Sequence, residues 1–402
     1  MKDIFVARQP IYDQNNLLVG YEILYRSDEK NVAEFSDGKQ ASIDVILNSF
    51  INIGIENLVG RHQFFINITD DLIVNDSLIP VSDEQAVLEV LEDIKPTAEI
   101  VEGIKRLKKQ GYIIALDDFK YSPDYDEILL LADYVKIDVL ELNQKEIIRE
   151  LRHLKHFKVK LLAEKVETHE MYDFCKLLGF TYFQGFHFCK PQLVTRKSIP
   201  ANKFVVLNIL EKLEKPSYDF NDVEKALAQD AILTFKILRY VNRAAFAQRK
   251  EIESIREALA LVGGDIIKKW ATLILMTQLS EGKPQALLIT ALVRARMCEL
   301  VANTDGRKNE QIFTIGLLSF LDALMGMEMK DLLSELSFST LIKNALLMHK
   351  GENGEILENV ILYERGQWNK LIENDVDAKI YFSCYIDAVQ WAETTVKDLT
   401  SS

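Results

Sequence analysis

The chain has 402 residues, 48% of them apolar and 27% charged, which is long enough to bury two full hydrophobic cores. Its formal net charge of −13 excludes a general nucleic-acid binder, which needs a basic face to displace counterions, but not one nucleotide held through a divalent cation. Apolar runs such as Ala271–Met276 are far too short to cross a bilayer, and the opening Met1-Lys2-Asp3 carries an acid with no cleavable apolar region after it. Cys175, Cys189, Cys298 and Cys384 are scattered without a C-x-x-C pair, so free thiols in a reducing cytoplasm are expected, with no membrane partner.

The first half alternates short apolar runs with amphipathic stretches. Strands are predicted at Phe5–Ile11, Gly20–Leu24, Gln63–Ile68, Ala86–Leu91, Tyr112–Leu116, Tyr134–Ile137, Lys160–Ala163 and Thr181–Gly185. Several, such as Tyr112-Ile113-Ile114-Ala115-Leu116, are apolar on both faces, which suits a sheet covered by helices. Helices are predicted between them at Gln40–Ile53, Glu99–Gln110, Asp126–Ala132, Gln144–Leu154 and Glu170–Leu178. This α/β alternation over about 190 residues suggests a compact, modified (β/α)8 TIM-like barrel. From about Asn202 the strand-like alternation stops, and helical patterns follow at Ala228–Val241, Ile252–Val262 and Ile266–Leu279, with Gly263-Gly264 separating the last two. The boundary is placed in Pro191–Lys203, giving a barrel over 1–195 and an all-α domain over 201–402.

Polar residues interrupt the strands in a consistent way. Glu22 lies in Gly20–Leu24, Asn67 in Phe64–Ile68 and Glu89 in Val87–Leu91; Asp117 and Asp118 end a strand; Lys136 and Asp138 lie in Val135–Asp138; Glu164 follows Ala163; and Gln184 precedes Gly185. Burying a charge costs several kcal/mol unless it is paired or bound to a cation. In a parallel barrel the C-terminal strand ends converge on one mouth, and carboxylates meeting there need a counter-charge. Oxygen donors of this kind suit Mg²⁺, Mn²⁺ or Ca²⁺, and without a histidine or cysteine cluster they suit zinc poorly.

Taken together these residues resemble the EAL family of cyclic-di-GMP phosphodiesterases. Gln9-Pro10-Ile11 is similar to the family's opening Q-P-I, and Glu22-Ile23-Leu24-Tyr25-Arg26 to E-A-L-x-R, with isoleucine for alanine. Phe65-Ile66-Asn67 resembles F-x-N, Leu88-Glu89-Val90-Leu91-Glu92 resembles L-E-x-T-E, and Leu116–Phe119 and Lys136-Ile137-Asp138 match D-D-F and K-I-D. Ala163-Glu164-Lys165-Val166-Glu167-Thr168 resembles A-E-G-V-E-T, and Gln184-Gly185-Phe186 with Lys190-Pro191 resembles Q-G-Y…K-P. The resemblance implies cyclic-di-GMP as ligand and hydrolysis to linear pGpG with Mg²⁺ or Mn²⁺, Ca²⁺ binding without turnover. It implies that Glu22, Asn67, Glu89 and Asp117 hold one ion, and Asp117, Asp118 and Glu164 a second. Lys136 would then orient the attacking water, Glu164 act as base or ligand, and Gln184 position the water. Gln9, Arg26 and Pro191 are implied as substrate contacts, and Glu92, Asp138 and Glu167 as supporting residues.

Three positions depart from the family pattern. Lys120-Tyr121-Ser122 replaces the glycine-containing loop after D-D-F, the stretch from Asp118 to Lys136 is slightly shorter, and Leu91 stands for threonine. Because that loop helps place the aspartates and a homodimer contact, the alternative is a barrel that binds cyclic-di-GMP without cutting it, as a sensor or signalling scaffold. Ala228–Trp270 resembles an HDOD domain, through Asp230-Ala231, Lys236–Asn242, Ile252–Leu259 and Val262-Gly263. After residue 187 the only histidine is His349, followed by Lys350, so no catalytic HD site is expected. The helical half is read as a regulatory module that takes a protein partner.

Overall fold

The computed structural model describes residues 4–27, 58–75, 85–185, 201–214, 224–225, 227, 231–244, 252–281, 283–304, 306 and 311–400. The expected helix Gln40–Ile53, Cys189, Pro191 and most of the expected boundary lie outside these residues, as does the side chain of Arg26.

Eight strands close into one barrel in chain order: β1 (Ile4–Asp13), β2 (Leu18–Ser27), β3 (Gln63–Ile68), β4 (Ala86–Val90), β5 (Ile113–Leu116), β6 (Tyr134–Asp138), β7 (Lys160–Glu164) and β8 (Tyr182–Gln184). From β2 to β8 neighbours run parallel. The expected modification of the TIM-like barrel lies at β1, which is antiparallel to both β2 and β8. The cause is local. Only Gln14–Leu17 separate β1 from β2, far too few residues for a parallel crossover. The Asp13 carboxylate accepts hydrogen bonds from the Asn15 and Leu17 amides, both at 2.8 Å, and Asn16 turns through the left-handed region at φ +62°.

The other strands are joined over helices that cover the barrel: α1 (Asp70–Val74), α2 (Ala98–Lys109), α3 (Asp126–Leu129), α4 (Gln144–Leu154) and α5 (His169–Leu177). Their starts are set by side chains that satisfy otherwise unpaired amides. Thr97 caps α2, Thr168 caps α5, and Asn143 with Glu146 forms a reciprocal capping box on α4. Ile11, Phe65, Val87, Ala115, Tyr134 and Leu162 form a buried cluster in which neighbouring strands each contribute an inward residue.

The remaining described elements are helical: α6 (Ala201–Leu213), α7 (Ala231–Ala244), α8 (Ile255–Val262), α9 (Gly264–Leu279), α10 (Gln285–Thr304), α11 (Ile312–Leu318), α12 (Leu321–Met325), α13 (Met329–Glu335), α14 (Thr340–Met348), α15 (Gly351–Glu364), α16 (Trp368–Glu373) and α17 (Ala378–Thr400). Two compact units result: residues 1–190 with 362–390, and residues 191–361 with 391–402. Leu362–Gln390 therefore groups with the barrel, a difference from the expected helical domain running unbroken from 201 to 402. Fully buried Tyr363 donates its hydroxyl to the Val6 carbonyl at 3.0 Å, and the Tyr385 hydroxyl accepts from the Arg8 amide at 3.2 Å, so the segment is fastened to β1.

Within the second unit the buried face of α9 includes Ile274, Leu275 and Met276, and that of α10 includes Leu292, Val293 and Met297. His349 is the left-handed cap of α14, at φ +49°. Cys175, Cys298 and Cys384 are buried free thiols, and burial pushes the Cys175 thiol up to about 12. Among the described residues no single helix is long and apolar enough to cross a membrane.

Candidate active site

Side chains two residues apart on a strand share a face. Phe65, Val87, Ala115, Tyr134, Leu162 and Tyr182 belong to or pack on the inward apolar cluster. Two residues further along each strand stand Asn67, Glu89, Asp117, Lys136, Glu164 and Gln184. The same alternation that fills the barrel with apolar side chains thus puts a polar layer directly above them, at the C-terminal strand ends. On β2 the residue two before Glu22 is Gly20, where a Cβ would come 2.5 Å from the Gln63 carbonyl oxygen, so the strands can approach there.

Lys136 is the centre of this layer. Its side chain is fully buried, and its ammonium lies 2.6 Å from Glu89 Oε1, 2.7 Å from Asp117 Oδ1, 2.9 Å from Glu164 Oε1 and 3.6 Å from Glu22 Oε2. Burial alone would pull the lysine pKa down, but Glu164, Glu22, Glu89 and Asp117 hold it well above its usual value. Four carboxylates facing one ammonium are not balanced. Burial raises Glu89 well above the carboxylate range and pushes Glu164 up to about 8, with Lys136 only partly opposing the rise. Glu89 Oε2, Glu164 Oε2, Asn67 Oδ1 and Asp118 Oδ1 are buried with no hydrogen-bond partner among the described residues. Gln184 Nε2 donates to Gln9 Oε1 at 2.8 Å and to Glu22 Oε2, linking β8, β1 and β2.

A second cation lies beside the first group. Lys165 pairs with Asp138 and stands 3.7 Å from Asp118 Oδ2. Both Asp118 (φ +42°) and Lys165 (φ +53°) hold the left-handed backbone, which non-glycine residues rarely adopt. Lys165 was not among the expected site residues, although its place opposite a family glycine was a signal of positive φ. Asp138 Oδ1 also accepts from the Leu140 and Glu141 amides, so it is held in its loop. Burial raises the Asp118 carboxyl, and Lys165 opposes that rise.

The loop after Asp118 is built without the family's glycines. Phe119 is buried edge-on against Tyr125, with centroids 5.6 Å apart, and its amide donates to the Lys136 carbonyl at 3.0 Å. Tyr121 stacks on His153 at 4.4 Å, and its amide donates to Glu150 Oε2 at 2.8 Å. Side-chain packing supplies the restraint there that a tight glycine turn would otherwise give.

A cavity of about 580 Å³ opens onto this layer, a size in the ordinary range for small-molecule sites. Gln9, Glu22, Asn67, Asp117, Asp118 and Glu164 line it, as do Lys165, Glu167 and Gln184. Arg365, Gly366 and Trp368 complete the wall from the C-terminal segment, and no local sequence pattern had pointed to them. Lys136 and Glu89 lie beneath the surface, while Glu92 lines a separate neighbouring pocket of about 280 Å³ with Asp117, Asp118 and Asp138. Among the described residues no group of three or more His, Cys, Asp or Glu side chains is placed to hold a metal ion as it stands, because the carboxylates close on the Lys136 ammonium.

A closed barrel with an acidic, lysine-centred polar layer at its strand ends, followed in the chain by helices, defines the class. The chain matches the EAL domain family over residues 29–191 and the HDOD domain family over 199–337. The matched EAL stretch begins after Glu22, whose place in the layer rests on the pairing of β2 with β3 and on its contacts with Lys136 and Gln184. Over 399 residues the chain is 33% identical to the uncharacterized protein YuxH of Bacillus subtilis, covering 96% of this chain and 98% of that one. It is 31% identical over 402 residues to the cyclic di-GMP phosphodiesterase CdgJ of Vibrio cholerae, covering 98% and 93%. A solved structure of the Bacillus subtilis YkuI protein, with an EAL domain, in complex with c-di-GMP and calcium, is 18% identical, covers 56% of this chain and 71% of its own, and has a TM-score of 0.39. The chain belongs to the family of proteins in which an EAL domain is followed by an HDOD domain.

Proposed function

We propose that the barrel hydrolyses cyclic-di-GMP to linear pGpG with Mg²⁺ or Mn²⁺, and binds Ca²⁺ without turnover. The observation that carries this reading is the cluster of Glu22, Glu89, Asp117 and Glu164 around the one Lys136 ammonium. A purely structural ion pair needs one carboxylate per cation; the excess here, with buried oxygens left unpaired, fits added divalent positive charge.

The donor set is of the right type, all carboxylate or amide oxygen. Glu22, Asn67, Glu89 and Asp117 would hold one ion, and Asp117, Asp118 and Glu164 a second. Such ions, when bound, lower the pKa of water and neutralise charge on the phosphate. Lys136, whose ammonium is the common partner of all four carboxylates, would orient the attacking water and offset developing negative charge. Glu164 would act as general base or as metal ligand. Gln184, braced by Gln9 and Glu22, orients that water. One water oxygen bonds to phosphorus, the bond from phosphorus to the ribose 3′ oxygen breaks, and that oxygen leaves with a proton. Arg26 and Pro191 are retained as substrate contacts, Glu167 and Asp138 as supporting groups, and the helical half as the module that takes a protein partner.

One observation favours the second reading, binding without turnover. Lys165 occupies the family's glycine position and engages Asp118, a proposed ligand of the second ion. The two readings separate in one assay on the purified full chain with cyclic-di-GMP and Mg²⁺ or Mn²⁺, following pGpG beside Glu22→Ala. Turnover that disappears in the variant supports hydrolysis. Binding with no turnover in either protein supports the sensor, and neither binding nor turnover contradicts both.

A further inference from the structure

We propose that Arg365, from the segment joining α15 to α16, is a ligand-recognition residue that grips a phosphodiester of the nucleotide in the barrel cavity. The inference rests on the reading of that cavity as a cyclic-dinucleotide site, and deepens it by naming a contact outside the matched EAL stretch.

The backbone delivers this residue to the cavity by a specific turn. Helix α15 ends at Glu364, and Gly366 follows at φ +65°, with its amide donating to the Tyr363 carbonyl at 3.0 Å and that of Gln367 to the Leu362 carbonyl at 2.9 Å. This closed, left-handed turn stops the helix and turns the chain between Arg365 and Trp368. It also lies tight on the barrel: a Cβ on Gly366 would come 3.1 Å from Leu24 Cδ1, on the strand that carries Glu22. Buried Trp368 packs edge-on against Tyr363, centroids 5.1 Å apart, and Tyr363 is itself bonded to Val6. The arginine thus stands on a braced turn.

The chemistry of the wall gives Arg365 its role. Glu22, Asp117, Asp118, Glu164 and Glu167 line the cavity, and a phosphodiester anion entering it meets their field. Among the described lining residues the cations are Lys165 and Arg365. Lys165 pairs with Asp138 and Asp118, and Arg365 is an exposed residue in the cavity wall. A guanidinium offers two parallel donors that match two phosphate oxygens, which a lysine point charge cannot reproduce.

The test is equilibrium dialysis of cyclic-di-GMP against the full-length chain in Ca²⁺, with recovery of intact ligand checked, for wild type, Arg365→Gln, Arg365→Lys and the remote surface control Arg152→Gln. Arg365→Gln is expected to weaken binding by about 10- to 100-fold with an unchanged unfolding midpoint. Arg365→Lys should fall between, Arg152→Gln should match wild type, and the gap between wild type and Arg365→Gln should narrow as salt rises. Wild-type affinity in Arg365→Gln overturns the inference and leaves the cyclic-dinucleotide reading standing. Wild-type affinity in Arg365→Lys overturns the forked grip, and an affinity loss that comes with a lowered unfolding midpoint and no salt dependence marks a structural residue and overturns the inference too. No binding by wild type removes the cyclic-dinucleotide reading, and Arg365's role with it.

Discussion

Two lysines in this molecule have opposite surroundings. In the helical unit Lys268 meets Glu214 at 3.1 Å, one cation to one buried carboxylate, and burial raises Glu214 while Lys268 opposes the rise. In the barrel Lys136 meets Glu22, Glu89, Asp117 and Glu164 together. The first sets one carboxylate against one ammonium, with Thr314 as a further hydrogen-bond partner of Glu214. The second is stable only if protons or other cations make up the difference, which is the condition of a site that takes a charged ligand. Lys136 is fully buried and Lys268 partly so, but it is the balance of charge that most clearly separates the two.

The contrast can be broken by removing each lysine. Lys136→Met should destabilise the metal-free barrel by at least about 3–5 kcal/mol in denaturant unfolding at pH 8, with loss of turnover. The damage should ease as pH falls. Glu164 has its folded pKa raised from 4.5 to about 8, so the stability held by its protonated form is fully present below about 4.5 and lost as pH rises through about 8. A Lys136→Met chain equally unstable at pH 5 and pH 8 would contradict the charge argument. Lys268→Met alone should cost about 3 kcal/mol, and adding Glu214→Leu should restore most of it, because a one-to-one pair can be exchanged for apolar packing. A double variant no more stable than the single one would contradict the reading of Lys268 and Glu214 as an exchangeable pair.

A smaller effect sharpens the comparison within the helical unit. Burial pushes Asp322 up to about 6, against opposition from the Ala323 amide and Arg294. Its protonated form favours folding below 3.8, and that gain is lost as pH rises through about 6. Asp322→Asn, which cannot ionise, should therefore raise the unfolding temperature by about 2–4 °C at pH 8 and by about half as much at pH 5. An equal rise at both values would point to packing instead of charge.

Much of the barrel was legible in the sequence because its signal is local. Strand positions followed from apolar runs, and the polar residue near the end of each run fell two positions after an inward apolar one, as at Phe65 and Asn67 or Tyr134 and Lys136. The antiparallel pairing of β1 was less legible, because the predicted strands Phe5–Ile11 and Gly20–Leu24 left a longer gap than the four residues the structure shows. The docking of Leu362–Gln390 was not legible. Tyr363 and Tyr385 bond to the backbone of Val6 and Arg8, and backbone atoms leave no trace in sequence pattern. A helical period likewise says which face is apolar but not which surface it covers, so Arg365 and Trp368 could not be assigned to the cavity.

The central claim is that the carboxylates around Lys136 are short of positive charge that a divalent cation supplies. The direct measurement is the unfolding temperature of the metal-free full chain with and without Mn²⁺, at pH 6 and pH 8, for wild type and Glu89→Gln. A cation that binds only the folded barrel raises that temperature, and should do so more at pH 8, where Glu164 gives up its proton, than at pH 6. Glu89→Gln should lose most of the rise. An Mn²⁺ effect that is absent, or the same at both pH values and in both proteins, would contradict the account.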